Sequence, residues 1–412
     1  MYNLFISKKY FATLILLLMC IMIQMFMVAD FSIPLITLMS ISSLLLIFNV
    51  YKIKKSEIPL WWGLMLIVTS ALLNIESFRL YTVIYSFLFV FTFIYFTRLI
   101  YTNIFTIEYY KNILIFILFS YFIVLLIQQI SVIIHLPVFN LVLYNENRFK
   151  LNSLSLEPSH TARIITIILF SYIRIKEIVS NKNYNLWKSI KSSKTERMIW
   201  IAYFYMIVTM QSSLGFIAMF LLLGYLFIKR RYVIFLPIII IVGYFFFSSS
   251  DIYVVQRVKN VIDGLIKFNA ESIKDADISA SARIVPYFLY FKTFNFFSLN
   301  TWFGYGIDYS LIISNEYFFG IQDKRSMGFG GGFFPTMAID YGLITFLMFL
   351  WGIKNMCFKN LISYEFLLWI ILFFASPFNT YVFWFSLMLL SVNKYFIYIQ
   401  NKKSYEENNY LC

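Results

Sequence analysis

The stretch RFKLNSLSLEPSH, residues 148–160, places Arg148, Lys150, Glu157 and His160 between two long apolar runs, and Arg163 follows three residues after His160. Further along the chain stand Arg283 and Asp340. A guanidinium is a planar fork that pairs bidentately with phosphate oxygens. Two such forks can hold a pyrophosphate and stabilise it as a leaving group. Basic groups above an apolar body suit a ligand with an anionic head and a lipid tail. Each residue also has a plainer reading. Glu157-Pro158-Ser159 can start a helix, with Ser159 as its N-cap and Glu157 facing the positive dipole end, a role compatible with a functional one. Arg163 can snorkel to lipid headgroups. Arg148 and Lys150 can be ordinary loop charges, and His160 a solvated or capping residue. The run GFGGG at 328–332 lacks the strand, Lys and Ser/Thr of a nucleotide loop and reads as a hinge.

The elements that must position these residues are set by composition. Of 412 residues, 61% are apolar and only 13% charged. A soluble domain of this size cannot hide that much apolar surface, so the class is all-α and polytopic, a bundle of membrane-spanning helices. The formal charge of +14, from 34 Lys and Arg against 20 Asp and Glu, points to anionic lipid rather than nucleic acid, because the basic residues fall in short loops. Cys20, Cys357 and Cys412 lie far apart with no CxxC pair. His135 and His160 are the two histidines, too few for a His-rich metal site. The run up to Ala29 is longer than a signal-peptide core and has no small-x-small cleavage site, so it reads as the first span.

At about 20 residues per span, the candidates are 10–29, 31–51, 58–75, 80–97, 113–136, 161–179, 198–211, 214–230, 232–248, 334–353, 361–376 and 379–399. With about twelve spans and both termini cytoplasmic, Lys8, Lys54, Arg98, Lys111, Arg174, Lys188, Arg230, Lys354 and Lys402 all fall on one side, as the positive-inside rule asks. Residues 198–230 must then hold two short helices meeting at Gln211-Ser212-Ser213. Such a polar bend is tolerated only against protein or a wet cavity. The segment 249–333 becomes a large outer loop within a single integral membrane domain, 1–412. In it, Val254, Val258, Val261, Leu265 and Ile266 recur at helical spacing, which predicts an amphipathic helix on the membrane surface. The apolar stretch 284–299 can lie beside that helix or dip into the membrane. Few ionisable residues fall mid-span, unlike an ion-coupled transporter.

The ordered set of Arg148, SLEPSH at 155–160, TMQSSLG at 209–215, SAR at 281–283, GYG at 304–306 and AIDYGLI at 338–344 resembles the O-antigen polymerase family (Wzy type), related to the O-antigen ligases. The resemblance covers roughly residues 145–350; the N-terminal third matches in hydropathy alone. It implies a GT-C-like glycosyltransferase of the bacterial cytoplasmic membrane. Such enzymes join oligosaccharide repeat units carried on undecaprenyl pyrophosphate, use no nucleotide sugar and need no cofactor or active-site metal. Their products are O-antigen or capsule, and a chain-length regulator is an expected partner. By the same resemblance Arg148 and Arg283 contact the pyrophosphate and Glu157 activates the acceptor. Gly304 and Gly306 let backbone approach the substrate, Asp340 supports the site, and Ser212, Ser213, His160 and Arg163 line it. Two departures stand out. Relatives often carry Arg after the bend serine, where this chain has Leu214; Arg163 is the candidate replacement. The ligases carry a histidine in the large outer loop, and 249–333 has none, which favours polymerase over ligase. A ligase using the same donor and a lipid-linked oligosaccharide flippase are the alternatives.

Overall fold

A computed structural model of the chain describes residues 2–28, 31–48, 52–75, 79–140, 151–227, 259–260, 263–267, 270–276, 278–319, 332–373 and 376–409. The described chain is mostly helical. In order come α1 (Tyr2–Cys20), a small antiparallel hairpin of β1 (Met27–Val28) and β2 (Phe31–Ser32), α2 (Ile33–Phe48), α3 (Ile58–Leu73), α4 (Leu80–Ile100), α5 (Ile107–Ile133), α6 (Pro158–Ser180) and α7 (Leu186–Ser192). They are followed by α8 (Lys194–Met210), α9 (Ser213–Phe227), α10 (Ala270–Ala276), α11 (Ile278–Thr293), α12 (Leu299–Phe303), α13 (Tyr309–Phe319), α14 (Phe333–Asp340), α15 (Leu343–Cys357), α16 (Tyr364–Phe373) and α17 (Tyr381–Asn409). Among the described residues three helices are long and apolar enough to cross a membrane: Leu80–Ile100, Ile107–Ile133 and Tyr381–Lys402. With the shorter apolar helices around them they mark a membrane protein.

The centre of the bundle is the pair α6 and α17. Helix α6 is buried almost all round and the first half of α17 likewise, so neither needs a polar face. Around them pack α1, α4, α5, α8, α9, α15 and α16. Trp384 of α17 stacks on Phe89 of α4 at 6.1 Å, and Phe333 of α14 lies 4.9 Å from Phe383. Helices α3 and α15 meet through glycine: a Cβ on Gly63 would fall 2.6 Å from the Phe349 ring, and one on Gly352 the same distance from Leu60. Small residues permit this approach where water does not drive helices together.

Three ion-pair clusters gather at one end of the bundle. Arg98 at the end of α4 grips Glu57 before α3 (Nη2–Oε2 2.5 Å). Arg174 of α6 reaches Glu177 and Glu365, each at 2.7 Å. Buried Glu196 accepts from Tyr172 and Tyr184, both at 2.7 Å, and from Lys176 at 2.8 Å. Every charge here has its partners, which makes these clusters fasteners.

Several predicted spans differ in extent. The first helix begins at Tyr2 and ends at Cys20, nine residues short of the expected Ala29. The chain there turns away: Met22 N donates to Leu154 O at 2.8 Å, and the hairpin follows. The expected span 334–353 is broken into α14 and α15 at Tyr341-Gly342, where Gly342 has φ +90°. The short helix α7 falls in what reads as a plain basic loop; Asn185, accepting from Lys188 N at 3.1 Å, starts it. The two short helices expected in 198–230 are α8 and α9, parted at Gln211 in the left-handed region (φ +49°). The span 232–248, the positions Val254, Val258 and Val261, and 328–331 of the glycine run lie outside the described residues.

Candidate functional site

Opposite the ion-pair end, the N-terminal turns of α6 bring expected residues together. Pro158 takes the first helical position, where its missing N–H costs nothing, so Glu157 occupies the N-cap position rather than Ser159. The Glu157 side chain does not cap the helix; Ser159 Oγ donates to its Oε2 at 3.0 Å. One turn on, His160 Nε2 lies 3.9 Å from the same oxygen. Its other ring nitrogen, Nδ1, sits 3.3 Å from the Tyr381 hydroxyl, and the two rings meet edge to face at 5.9 Å. Another turn on is Arg163, only 3% exposed. Its Nε donates to Ser159 O at 3.3 Å and its Nη1 to Ser376 Oγ. Arg163 therefore does not snorkel to headgroups; it is held inside, against the turn that joins α16 to α17. Carboxylate, imidazole and guanidinium follow at i, i+3 and i+6, winding round the helix start from half-exposed Glu157 to buried Arg163.

A knot of uncharged polar side chains fixes the entry to this helix. Asn140 Nδ2 donates to Ser153 O (2.8 Å) and Met22 O (3.0 Å), and Ser153 Oγ donates to Tyr121 O (2.7 Å). Ser155 Oγ lies 2.7 Å from Thr161 Oγ1, and Gln128 Oε1 accepts from Ser153 N at 2.8 Å. Arg148 and Lys150 lie outside the described residues, but the flanks of that stretch are joined: Asn152 Nδ2 donates to Asn140 O at 2.8 Å.

A second polar group forms around Asp340. Its buried carboxylate receives Ser310 N (2.7 Å) on one oxygen and Ser310 Oγ (3.1 Å) on the other, tying α14 to the first turn of α13. The Asp340 carbonyl accepts from Ser70 Oγ of α3 at 2.8 Å and from Gly306 N at 3.2 Å, and the Ile339 carbonyl accepts from Tyr305 N at 2.9 Å. Gly304 (φ +96°) and Gly306 (φ +111°) thus bring their backbone close to the chain's own 339–342 turn. Asp308, two residues on, pairs with Arg79 (3.2 Å) and accepts from Thr82 Oγ1 (3.4 Å). One turn along α4, Ser86 Oγ donates to Asn379 Oδ1 at 2.9 Å. Asn379 belongs to the same connection as Ser376, so the 376–380 turn links the two groups.

The remaining expected residues are placed by backbone. Arg283 lies in α11, its side chain outside those described, as is that of Ser213. Ser212 sits in the α8–α9 bend, its carbonyl accepting from Phe216 N at 3.1 Å. That bend meets α6 through Gly215, where a Cβ would lie 3.3 Å from the Ala162 methyl. Sequence reasoning passed over Arg79, Asp308, Ser376, Asn379 and Tyr381. Arg79 carried a usable signal, since in the expected topology it is a basic residue on the outer side, like Arg148, Arg163 and Arg283. Ser376 and Asn379 flank Pro377-Phe378 between two apolar runs, a second legible sign.

Chemically, the arrangement offers a half-exposed carboxylate beside an imidazole, over a buried guanidinium at a helix N-terminus. It can take up a proton from a bound hydroxyl and can favour an anion. Among the described residues no three His, Cys, Asp or Glu side chains gather as metal ligands. No family model matches the chain, and no curated protein or solved structure matches it.

Proposed function

We propose that the chain is a glycosyltransferase of the O-antigen polymerase type, joining undecaprenyl-pyrophosphate-linked repeat units at the outer face of the bacterial cytoplasmic membrane. In this reading it has about twelve spans, both termini cytoplasmic and a GT-C-like arrangement. The observation that carries it is the grouping of Glu157, His160 and Arg163 at the end of the bundle opposite the Arg98 and Arg174 ion pairs. That is the end which the positive-inside rule assigns to the outside. The order of the motifs, which resembles that of the polymerases, supports the same reading.

The acceptor sugar hydroxyl attacks the anomeric carbon of the donor chain. As that bond forms, the bond from anomeric carbon to pyrophosphate oxygen breaks, and its electron pair leaves with undecaprenyl pyrophosphate. Arg148 and Arg283 stabilise the charge on the leaving group. Glu157 takes the hydroxyl proton; its exposure gives the acceptor access, and Ser159 and His160 orient it. Tyr381 holds the imidazole. Arg163, Ser212, Ser213, Gly304, Gly306 and Asp340 form or brace the walls. Lipids surround the protein, and a chain-length regulator is the expected protein partner.

The test is a sugar-stained gel of surface polysaccharide from a strain lacking this gene. The expected result is collapse of the ladder to lipid core plus one repeat, and no recovery when Glu157→Gln is supplied in place of the wild type. Long chains left on their lipid carrier would identify a ligase instead, and an unchanged ladder would exclude chain growth as the role.

A further inference from the structure

Between α11 and the Gly304 turn, the chain runs TFNFFSLNTWFGYGI, fifteen residues (293–307) without a charge. Its large side chains are not packed away. Phe297 is 93% exposed, and Phe296 and Leu299 are also largely exposed. The backbone beneath them is closed on itself. Ser298 N donates to Asn295 O (3.0 Å), Phe297 N to Asn295 Oδ1 (3.0 Å) and Asn295 N to Thr301 Oγ1 (3.3 Å). Trp302 Nε1 donates to Phe296 O (2.9 Å), and the Trp302 ring meets Phe296 edge to face at 5.2 Å. This is a shaped loop that displays aromatics, and such a patch is a liability if it faces water.

Its height on the bundle is fixed by a separate set of contacts. Helix α12, which ends the loop, packs on α3 and α15. Just past it, the Gly304 carbonyl accepts from Nδ2 of Asn74, the residue that closes α3 (3.4 Å). The last turn of α3 and the start of α4 carry exposed Leu72, Leu73, Ile75, Leu80 and Ile84. The aromatic loop therefore sits where the apolar surface of the bundle ends. Phe and Trp belong at that level, with an apolar body toward acyl chains and the polar backbone toward headgroups. Lys292, exposed at the end of α11, stands beside the loop to meet lipid phosphates.

We infer that residues 294–302 form a membrane-interface anchor that inserts Phe296, Phe297 and Leu299 into the outer end of the surrounding lipid. Insertion is to the headgroup–acyl boundary, about 5–10 Å deep. The anchor pins α11, and Arg283 with it, to one height above the bundle. The inference concerns where this loop lies and does not depend on the reaction proposed above.

The experiment uses the full chain in vesicles of phosphatidylethanolamine and phosphatidylglycerol. Phe297→Cys on a Cys412→Ser background is labelled with an environment-sensitive fluorophore; the other two cysteines, Cys20 and Cys357, are buried. The expected result is blue-shifted emission, quenched several-fold more by nitroxide-labelled lipid than by aqueous iodide. Leu299→Cys should behave alike. Emission at the aqueous maximum, quenched by iodide and indifferent to nitroxide lipid, would overturn the inference. A loop reserved for a protein partner would give that second result in vesicles holding lipid alone.

Discussion

Gly304→Ala is expected to remove the folded protein from the membrane fraction rather than merely slow it. Gly304 adopts φ +96°, a region that L side chains rarely enter. A Cβ there would lie 2.7 Å from the Asp340 carbonyl carbon, which is backbone and cannot yield, and 2.7 Å from Ser70 Oγ, which would have to give up its bond to that carbonyl. The Asp340 carbonyl is fixed by Ser70 and Gly306, and its carboxylate by Ser310. Gly342 is locked from the other side, with a Cβ 2.6 Å from Gly304 N. The turn 304–306 and the turn 340–342 thus close on each other as two backbones with no room between them. Backbone strain alone costs about 1–3 kcal/mol, and the clash adds to it, so the total exceeds what a surface substitution brings. The check is the yield and thermal stability of purified protein, by size-exclusion chromatography after heating. A Gly304→Ala protein as stable as the wild type would mean that this latch is not closed in the membrane. Gly63→Ala, facing a phenyl ring that can shift, should be milder.

Arg148→Ala and Arg283→Ala are expected to stop chain growth while leaving the protein inserted and folded. Each would remove one guanidinium from the departing pyrophosphate. Loss of a single donor to developing charge costs about 10²–10³ in rate, enough to empty a polysaccharide ladder. Lysine restores the charge but not the fork, so Arg→Lys variants should recover part of the activity. The double variant should be little worse than either single one, because in the proposed reaction both residues act on one group. Normal-length polysaccharide from either single variant, at wild-type protein levels, would remove that residue from the site. Arg163 differs from both: its guanidinium is buried against Ser376, so Arg163→Ala should lower stability together with activity.

Much of the bundle is legible because lipid enforces it. Long apolar runs such as 80–97 and, from Tyr381 on, 379–399 are helical, since backbone polar groups in a membrane must be paired inside the segment. The bend at Gln211 was legible for a similar reason: three polar residues, Gln211-Ser212-Ser213, interrupt two runs each too short to cross straight. The break at Tyr341-Gly342 was less so. Only Asp340 and Gly342 mark it within an otherwise apolar run, and it is the packing of Gly342 against Gly304 and Trp302 that demands it. The Glu157–Arg163 grouping could be read from spacing along one helix. Tyr381 and Asp308 could not, because each meets its partner across more than 200 residues of sequence. Hydropathy says that such residues sit near a membrane surface and nothing about which neighbour they face.

The most direct test of the central claim is to give the purified chain, in lipid vesicles, a single undecaprenyl-pyrophosphate-linked repeat unit from its own host and to follow the products by mass. The account predicts a series of chains that grow by whole repeats, with one undecaprenyl pyrophosphate released per joining, and none from Glu157→Gln or Arg283→Ala. Repeat units that cross the bilayer unjoined, or that remain single while the protein is folded and inserted, would contradict it.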